Sequence, residues 1–404
     1  MIGFPKADFH EFDMDHFCLL LKLFYQILVS FQESAMIESV ICLWAAFLYG
    51  NGRSSFTSKG YCQTCCGRLQ WSYNRGKGDI NMKMAILGPG RIAGKTAATM
   101  AALEEVECYA VASRSLEKAE AFAEAYGFQK AYGSYEEMLE DPNVDLVYIA
   151  TPHSLHYEHM MLCLQKGKAV LCEKAFTMNA EQARKIQSYA QEHGIFAAEA
   201  IWTRYMPSRT MIDEVIASGI IGKVNTLTAN LSYVIDHKQR IMDPKLAGGA
   251  LLDIGIYGIN FALMHFGTDI ERVESSVQMT DTGVDAMETI TIFYKDGRMA
   301  VLTHSIYCRS DRKGIIHGDK GYIVVENINN PQSISVYDGE DRLVQSISVP
   351  AQISGYEYEF LECAEALRSG KTESSSMPLG ESVYVMEFMD ALRKQWGLVY
   401  PQEQ

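Results

Sequence analysis

The sequence predicts an α/β protein in two parts: helices wrapped on a parallel sheet, then an α+β part on a large, mostly antiparallel sheet. Three observations carry that expectation. From Met84 onward, short apolar runs alternate with stretches of helical period, as in a sheet covered on both faces. A glycine-rich turn follows the first of those runs. Beyond about Gly222 the alternation gives way to strands joined by tight turns, which implies antiparallel pairing.

In the first part, strands are expected at Met84–Gly88, Glu107–Ser113, Asp145–Thr151, Ala169–Cys172 and Ile195–Glu199. Helical patterns fall at Ile92–Leu103, Leu116–Tyr126, Tyr135–Leu139, His156–Lys166 and Asn179–His193. The turn Gly88-Pro89-Gly90-Arg91-Ile92-Ala93 matches G-x-G-x-x-G/A, directly after a strand and opening a helix. Gly88 permits the tight turn, Gly90 lets backbone approach a pyrophosphate, and Ala93 lets helix and strand pack closely. Arg91 and Ile92 begin the helix whose N-terminus faces the anion. This is the dinucleotide fingerprint of a Rossmann domain.

The end of the second strand selects the cofactor. Enzymes using NAD usually carry Asp or Glu there, and that carboxylate repels a 2′-phosphate. This chain reads Val111-Ala112-Ser113-Arg114-Ser115, with no acid. Ser113 can donate a hydrogen bond and Arg114 offers a planar fork for phosphate, so NADP(H) is expected. The alternative is that Ser113 or Ser115 only caps the next helix. Two further strand ends, Thr151-Pro152-His153 with His156, and Glu173-Lys174, point to the same crevice. No carboxylate or cysteine completes a ligand set with His153, His156 and His159, so no metal is expected.

In the second part, strands are expected at Val224–Val234, Val273–Met279, Glu288–Tyr294, Met299–Tyr307, Tyr322–Glu326, Ser333–Tyr337 and Leu343–Val349. Helices at Leu251–Phe266, Tyr356–Ser369 and Leu379–Gln395 would cover one face. The expected divisions are an NADP-binding Rossmann domain at 82–203, a substrate and dimerisation domain at 204–395, and a tail at 396–404.

Residues 1–81 read differently. Their apolar runs are interrupted by Lys22, Gln26 and Glu38, short of a membrane span, and the acidic start does not suit a signal peptide. Cys62, Cys65 and Cys66 lack a nearby fourth ligand for zinc. The codons of Lys77-Gly78-Asp79 can spell a purine-rich ribosome-binding sequence just upstream of Met82. The segment is therefore expected to be translated upstream sequence, non-native or poorly structured, with the native start at Met82 or Met84.

Composition narrows the class. Hydrophobic residues make up 48% and charged residues 21%, which is globular. The net charge is −14, and residues 1–81 hold seven acids and seven bases, so the whole excess lies beyond them. An acidic body without a basic stripe argues against nucleic acid or an anionic membrane as partner. Cys108, Cys163, Cys172, Cys308 and Cys363 are scattered in mostly apolar runs, as reduced thiols of a cytoplasmic protein would be.

The chain from Met84 to Pro401 resembles the glucose–fructose oxidoreductase / inositol dehydrogenase / MocA family, and within it the dimeric dihydrodiol dehydrogenases that also act as NADP-dependent xylose dehydrogenases. The resemblance rests on Tyr132–Glu137, Ala169–Lys174, Glu199–Tyr205, Gly248–Tyr257 and Gln395–Pro401. It implies that Lys174 is the catalytic lysine, Glu173 its cofactor-side neighbour, Tyr257 the acid/base and Asp253 its partner one turn earlier. The family has proline after the lysine; Ala175 stands there instead, which leaves the turn holding Lys174 less constrained. The resemblance also implies a sugar or cyclic diol as substrate and a homodimer formed through the C-terminal sheet.

Chemistry gives these positions a rationale. Asp253 and Tyr257 lie four apart in an expected helix and share a face. A phenol is a poor base at neutral pH unless a cation stabilises the phenolate, and Lys174 is the candidate cation. Trp202, Arg204 and Tyr205, and more weakly Arg240, are substrate-pocket candidates; interdomain packing is the alternative for the first three. Two other readings stay open: a non-catalytic NADP(H) sensor, and an NAD-linked inositol-type dehydrogenase.

Overall fold

The computed structural model describes residues 81–404. Expectations for the acidic start, the early apolar runs and Cys62, Cys65 and Cys66 fall outside the described residues. Strands β1 (Met82–Leu87), β2 (Val106–Ala112), β3 (Lys130–Tyr132), β4 (Leu146–Ile149), β5 (Ala169–Glu173) and β6 (Ala197–Ala200) form one sheet. Its order is β3-β2-β1-β4-β5-β6, and every pairing is parallel. The cause is apolar sequence that must be covered on both faces: all four residues of β4 are fully buried.

Between the strands run α1 (Arg91–Met100), α2 (Leu116–Tyr126), α3 (Tyr135–Leu139), α4 (His153–Gln165) and α5 (Ala180–His193). Side chains set three of their starts. Ser115, Ser134 and Asn179 accept the N–H groups of Lys118, Glu137 and Gln182, satisfying donors that a helix start leaves open. The strand order reverses between β1 and β4, and their carboxyl ends open the crevice where such folds bind ligands.

After α6 (Pro207–Ala217) comes the second sheet: β7 (Val224–Ser232), β8 (Ile270–Met279), β9 (Asp285–Tyr294), β10 (Met299–Ser305), β11 (Gly314–Gly318), β12 (Gly321–Val325), β13 (Ser333–Asp338) and β14 (Leu343–Ser348). The order is β14-β13-β12-β11-β7-β10-β9-β8, antiparallel except between β7 and β10. A short helix, α7 (Gln239–Met242), follows β7. The expected helix over Leu251–Phe266 has two parts, a π-helical turn (Leu251–Gly255) running into α8 (Ile256–Phe266). The stretch Pro244–Phe266 is apolar enough to cross a membrane, but 94% of its hydrophobic window is buried inside the protein.

The chain then returns to the first sheet. Phe360 of α9 (Glu357–Arg368) meets Tyr148 of β4 edge-on at 5.7 Å, and α10 (Leu379–Trp396) packs on α5. Segment 396–404, expected as a tail, is docked: Tyr400 is fully buried and donates its hydroxyl to Gly248 O at 2.8 Å, while Glu403 accepts from Arg393.

Candidate active site

The crevice fits a dinucleotide by its backbone. Gly88 has a φ of +94°, and a Cβ there would stand 2.8 Å from Thr151 Cγ2, so only glycine suits the turn. Gly90 is the exposed residue before α1, and its own Cβ would meet only Ala150 O, at 3.8 Å. Helix α1 has no side-chain cap and no acid in its first turn, so the N–H groups beginning at Arg91 and Ile92 remain open to an anion. Ala93 is fully buried against the sheet.

At the end of β2, Ser115 is the cap of α2, and the buried Ser113 Oγ accepts Ser115 N–H at 3.3 Å. The capping alternative therefore holds for Ser115, while the Ser113 hydroxyl keeps its proton to donate. Arg114 is exposed beside Tyr135 and His159, whose rings meet edge-on at 5.0 Å.

Lys174 follows β5 and reaches across to the π-helical turn. Its Nζ donates to Asp253 O at 2.6 Å and to Oδ1 at 3.2 Å. Arg240 holds the same carboxylate in a fork, at 2.8 Å to Oδ1 and 3.2 Å to Oδ2. Burial works against charge on Asp253, but the Lys174 and Arg240 cations outweigh it and hold its carboxyl well below the usual carboxylate range. Glu173 points into the interior, where it accepts from the Tyr148 hydroxyl and from Lys174 N–H at 3.2 Å. Burial raises its carboxyl. The turn after Lys174 is held without the family's proline: Ala175 O faces His156 Nδ1 at 2.8 Å, and Phe176 N–H donates to Glu199 at 3.0 Å. The Lys174–Ala175 peptide is cis.

Tyr257 lies under Lys174, with Nζ 5.1 Å from its ring centroid. Its hydroxyl accepts Trp202 Nε1–H at 3.1 Å, and Trp202 stacks on Tyr356 at 4.3 Å. The expectation that Lys174 draws the phenol toward ionisation is reversed. Burial pushes it well above 10, and nearby Tyr356, Glu173 and Asp253 add to the shift. The same environment favours the neutral form of the Tyr257 hydroxyl.

Of the pocket candidates, Trp202 and Arg240 stand in this cluster. Arg204 and Tyr205 do not; both follow the packing alternative. Arg204 is buried between Asn260, at 2.7 Å, and Glu381, and the Tyr205 hydroxyl donates to Glu199 O at 2.8 Å. Sequence reading missed Tyr148 and Tyr356, which reach the site from inside a strand and from a turn far along the chain; neither has a local motif that marks it.

The histidines at the start of α4 are structural ligands of the backbone. His153 Nδ1 faces Ala247 O at 3.0 Å, and His156 Nε2 faces Thr151 O at 2.8 Å, with Pro152 at the N-cap of the helix. Burial lowers His153 from 6.5 to about 3 and His156 to about 4. Both bind a proton more readily when unfolded, so their linked stability is whole above about 6.5 and is lost as pH falls toward the folded values. Glu199, raised by burial to about 7, runs in the opposite direction. Comparing parent and variant isolates one histidine. Between pH 7 and pH 5 the parent is expected to lose about 2 kcal/mol more in denaturant melts than His156→Gln. Equal losses would show that His156 does not titrate this way.

Two family profiles match the chain. The profile described as "Oxidoreductase family, NAD-binding Rossmann fold" matches residues 82–199, and that of the "GFO/IDH/MocA C-terminal domain" matches 210–324. Trans-1,2-dihydrobenzene-1,2-diol dehydrogenase of Mus musculus is 34% identical over 335 residues, covering 80% of this chain and 99% of the relative. The Homo sapiens enzyme of that name is 34% identical over 330 residues, with the same coverages. Among solved structures, a 3-ketoreductase from Actinomadura kijaniata in complex with NADP and TDP-benzene superposes with a TM-score of 0.73 at 24% identity, covering 78% of this chain and 98% of that one. At that identity the likeness supports the fold.

Proposed function

Because the chain belongs to the GFO/IDH/MocA oxidoreductase family, we propose that it is an NADP-dependent dehydrogenase acting on the carbinol of a sugar or cyclic diol. Lys174 and Tyr257 form its proton relay. The observation that carries this reading is the Lys174 ammonium, clamped to Asp253 over the Tyr257 ring at the carboxyl end of β5. A sensor of NADP(H) needs no such pair. Curated relatives at 34% identity are diol dehydrogenases, and a sugar offers the same vicinal hydroxyls.

The chemistry that a bound nicotinamide supplies is hydride exchange with the carbinol carbon. The turn at Gly88 and Gly90 and the N–H groups beginning at Arg91 and Ile92 would hold the pyrophosphate, with Ala93 letting helix and sheet pack closely behind them; Ser113 and Arg114 would hold the 2′-phosphate, and Thr151 to His153 would form the wall of the crevice. In reduction, the neutral Tyr257 phenol hands its proton to the carbonyl oxygen and the Lys174 ammonium steadies the charge developing there. Oxidation runs backwards through the relay: Lys174 gives up a proton to solvent and takes that of the Tyr257 hydroxyl, and the phenolate so formed accepts the carbinol proton. Asp253 keeps Lys174 and Arg240 in place, and Arg240 and Trp202 border the substrate.

The test is a spectrophotometric screen of sugars, inositols and diols with NADP+ and NAD+. Reduction of NADP+ by a sugar or diol supports the reading. Tight NADPH binding with no turnover of any candidate favours the sensor, and turnover of inositols with NAD+ alone favours the inositol-type enzyme.

We also place the protein in the reducing cytoplasm, in keeping with the free, mostly buried thiols among the described residues, and pair two copies through the second sheet. The outer face of that sheet alternates with the buried one and presents Thr289, Thr303, Val301, Ile315, Val324 and Tyr322 without helical cover. Light scattering after gel filtration is expected to give a dimer for the parent and a monomer for Val301→Asp/Val324→Asp. A monomeric parent contradicts the pairing.

A further inference from the structure

Beneath the helix that carries Asp253 and Tyr257 lies a second set of ionisable groups that the proposed chemistry does not use. Glu288 on β9 and His304 on β10 are cross-strand neighbours, both fully buried, with Oε1 and Nδ1 3.2 Å apart. The contact is not a formed hydrogen bond: Glu288 Oε1 and Oε2 and His304 Nδ1 and Nε2 all lack a hydrogen-bond partner. The helix rests directly on them. A Cβ on Gly255 would stand 2.6 Å from Glu288 Oε1, and one on Gly258 2.2 Å from His304 Nε2, so glycine at both positions lets backbone sit on the pair.

The next buried acid on β9, Asp285, accepts Leu251 N–H at 2.5 Å, at the first residue of the π-helical turn. Gly249, with a φ of +116°, makes room for that carboxylate: a Cβ there would be 2.1 Å from Oδ1. Asp285 and the buried Tyr400 are the other titratable groups facing this layer. The turn holding Asp253 and Tyr257 is therefore seated on a polar floor of Asp285, Glu288 and His304, not on an apolar one. Its opposite side is tied by Asn260, which bonds Ile256 O at 2.8 Å and Arg204 at 2.7 Å.

We propose that Glu288 and His304 are positioning residues for the active site: a buried pair on which Gly255 and Gly258 are seated, fixing the height and rotation of the turn that presents Asp253 and Tyr257. A pair of opposite or jointly neutral partners suits this place, because buried polar groups demand each other and resist sliding where apolar side chains tolerate it. A single π-helical turn is a register choice of this kind, with one more residue accommodated than in an α-helix. The inference rests on the proposed role of Lys174 and Tyr257.

The test compares polar with apolar replacements of similar size. Glu288→Met and His304→Leu remove the contact, whereas Glu288→Gln and His304→Gln keep a polar one. Saturated turnover, NADPH binding by tryptophan fluorescence, and KM are measured for each, beside Lys174→Ala. The apolar variants are expected to lose about tenfold or more in kcat with NADPH affinity within about twofold, and the polar variants to recover to within about threefold of the parent. Equal kcat in polar and apolar variants overturns the inference. So does a loss of activity that only follows a loss of soluble protein or of NADPH binding, since the pair then serves stability alone. Undiminished turnover in Lys174→Ala instead removes the relay on which the inference rests.

Discussion

Lys174→Ala is expected to lower kcat by about 10²–10⁴-fold, the range that a positioned acid–base group supplies. The ammonium is the cation nearest the Tyr257 ring, and its removal leaves a neutral phenol with nothing beside it to steady charge on the substrate oxygen. The fold survives the change. Asp253 keeps the bidentate Arg240 fork, so its carboxylate is not left unpaired in the interior, the situation that makes breaking a buried ion pair costly. NADPH binding should persist, which separates lost chemistry from lost cofactor. Tyr257→Phe keeps the ring under Lys174 and removes only the hydroxyl, leaving Trp202 Nε1–H without its acceptor. A loss of about 10²-fold or more in kcat with little change in KM is expected for it. Stopped-flow single turnovers check both variants, and parental rates in either remove that residue from the relay.

The second large effect concerns the cofactor. Arg114→Ala is expected to weaken NADP+ by about 10–100-fold, the worth of a charge-assisted contact, while NAD+ changes little. Ser113→Asp goes further, placing a carboxylate that repels a 2′-phosphate and accepts hydrogen bonds from the ribose hydroxyls of NAD. The double variant should invert the preference in kcat/KM. An unchanged NADP+/NAD+ ratio would mean that the phosphate, if preferred at all, is gripped elsewhere.

Much of this site was legible in the sequence because its parts sit at strand ends. Gly88, Ser113, Thr151 and Lys174 each follow a run of apolar residues that a parallel sheet buries on both faces, and the topology brings those ends to one crevice. Elements without a readable period were missed. Lys130–Tyr132 is a three-residue edge strand, Gly314–Gly318 is bracketed by glycines that read as turns, and Pro207–Ala217 opens on a proline.

Side-chain chemistry was harder to read. Spacing placed Asp253 and Tyr257 on one helical face, but the π-helical turn and the direction of the Tyr257 shift depend on what packs beneath and beside them. Arg204 looked like a pocket residue from its neighbours in sequence, yet Asn260 and Glu381, far along the chain, claim it. Gly248 and Gly249 stood out as a motif without a reason. The reason is close approach: a Cβ on Gly248 would stand 2.3 Å from Ile241 O, and one on Gly249 2.1 Å from Asp285 Oδ1.

On this account the crevice at Lys174 and Tyr257 transfers hydride between a carbinol and NADP. Mass spectrometry of NADPH formed from NADP+ and a sugar or diol deuterated at the carbinol carbon tests it most directly. Deuterium on the nicotinamide with the parent, appearing about 10²–10⁴-fold more slowly with Lys174→Ala that still binds NADPH, is the predicted result. Unlabelled NADPH, or labelled NADPH formed at the parental rate by the variant, contradicts it.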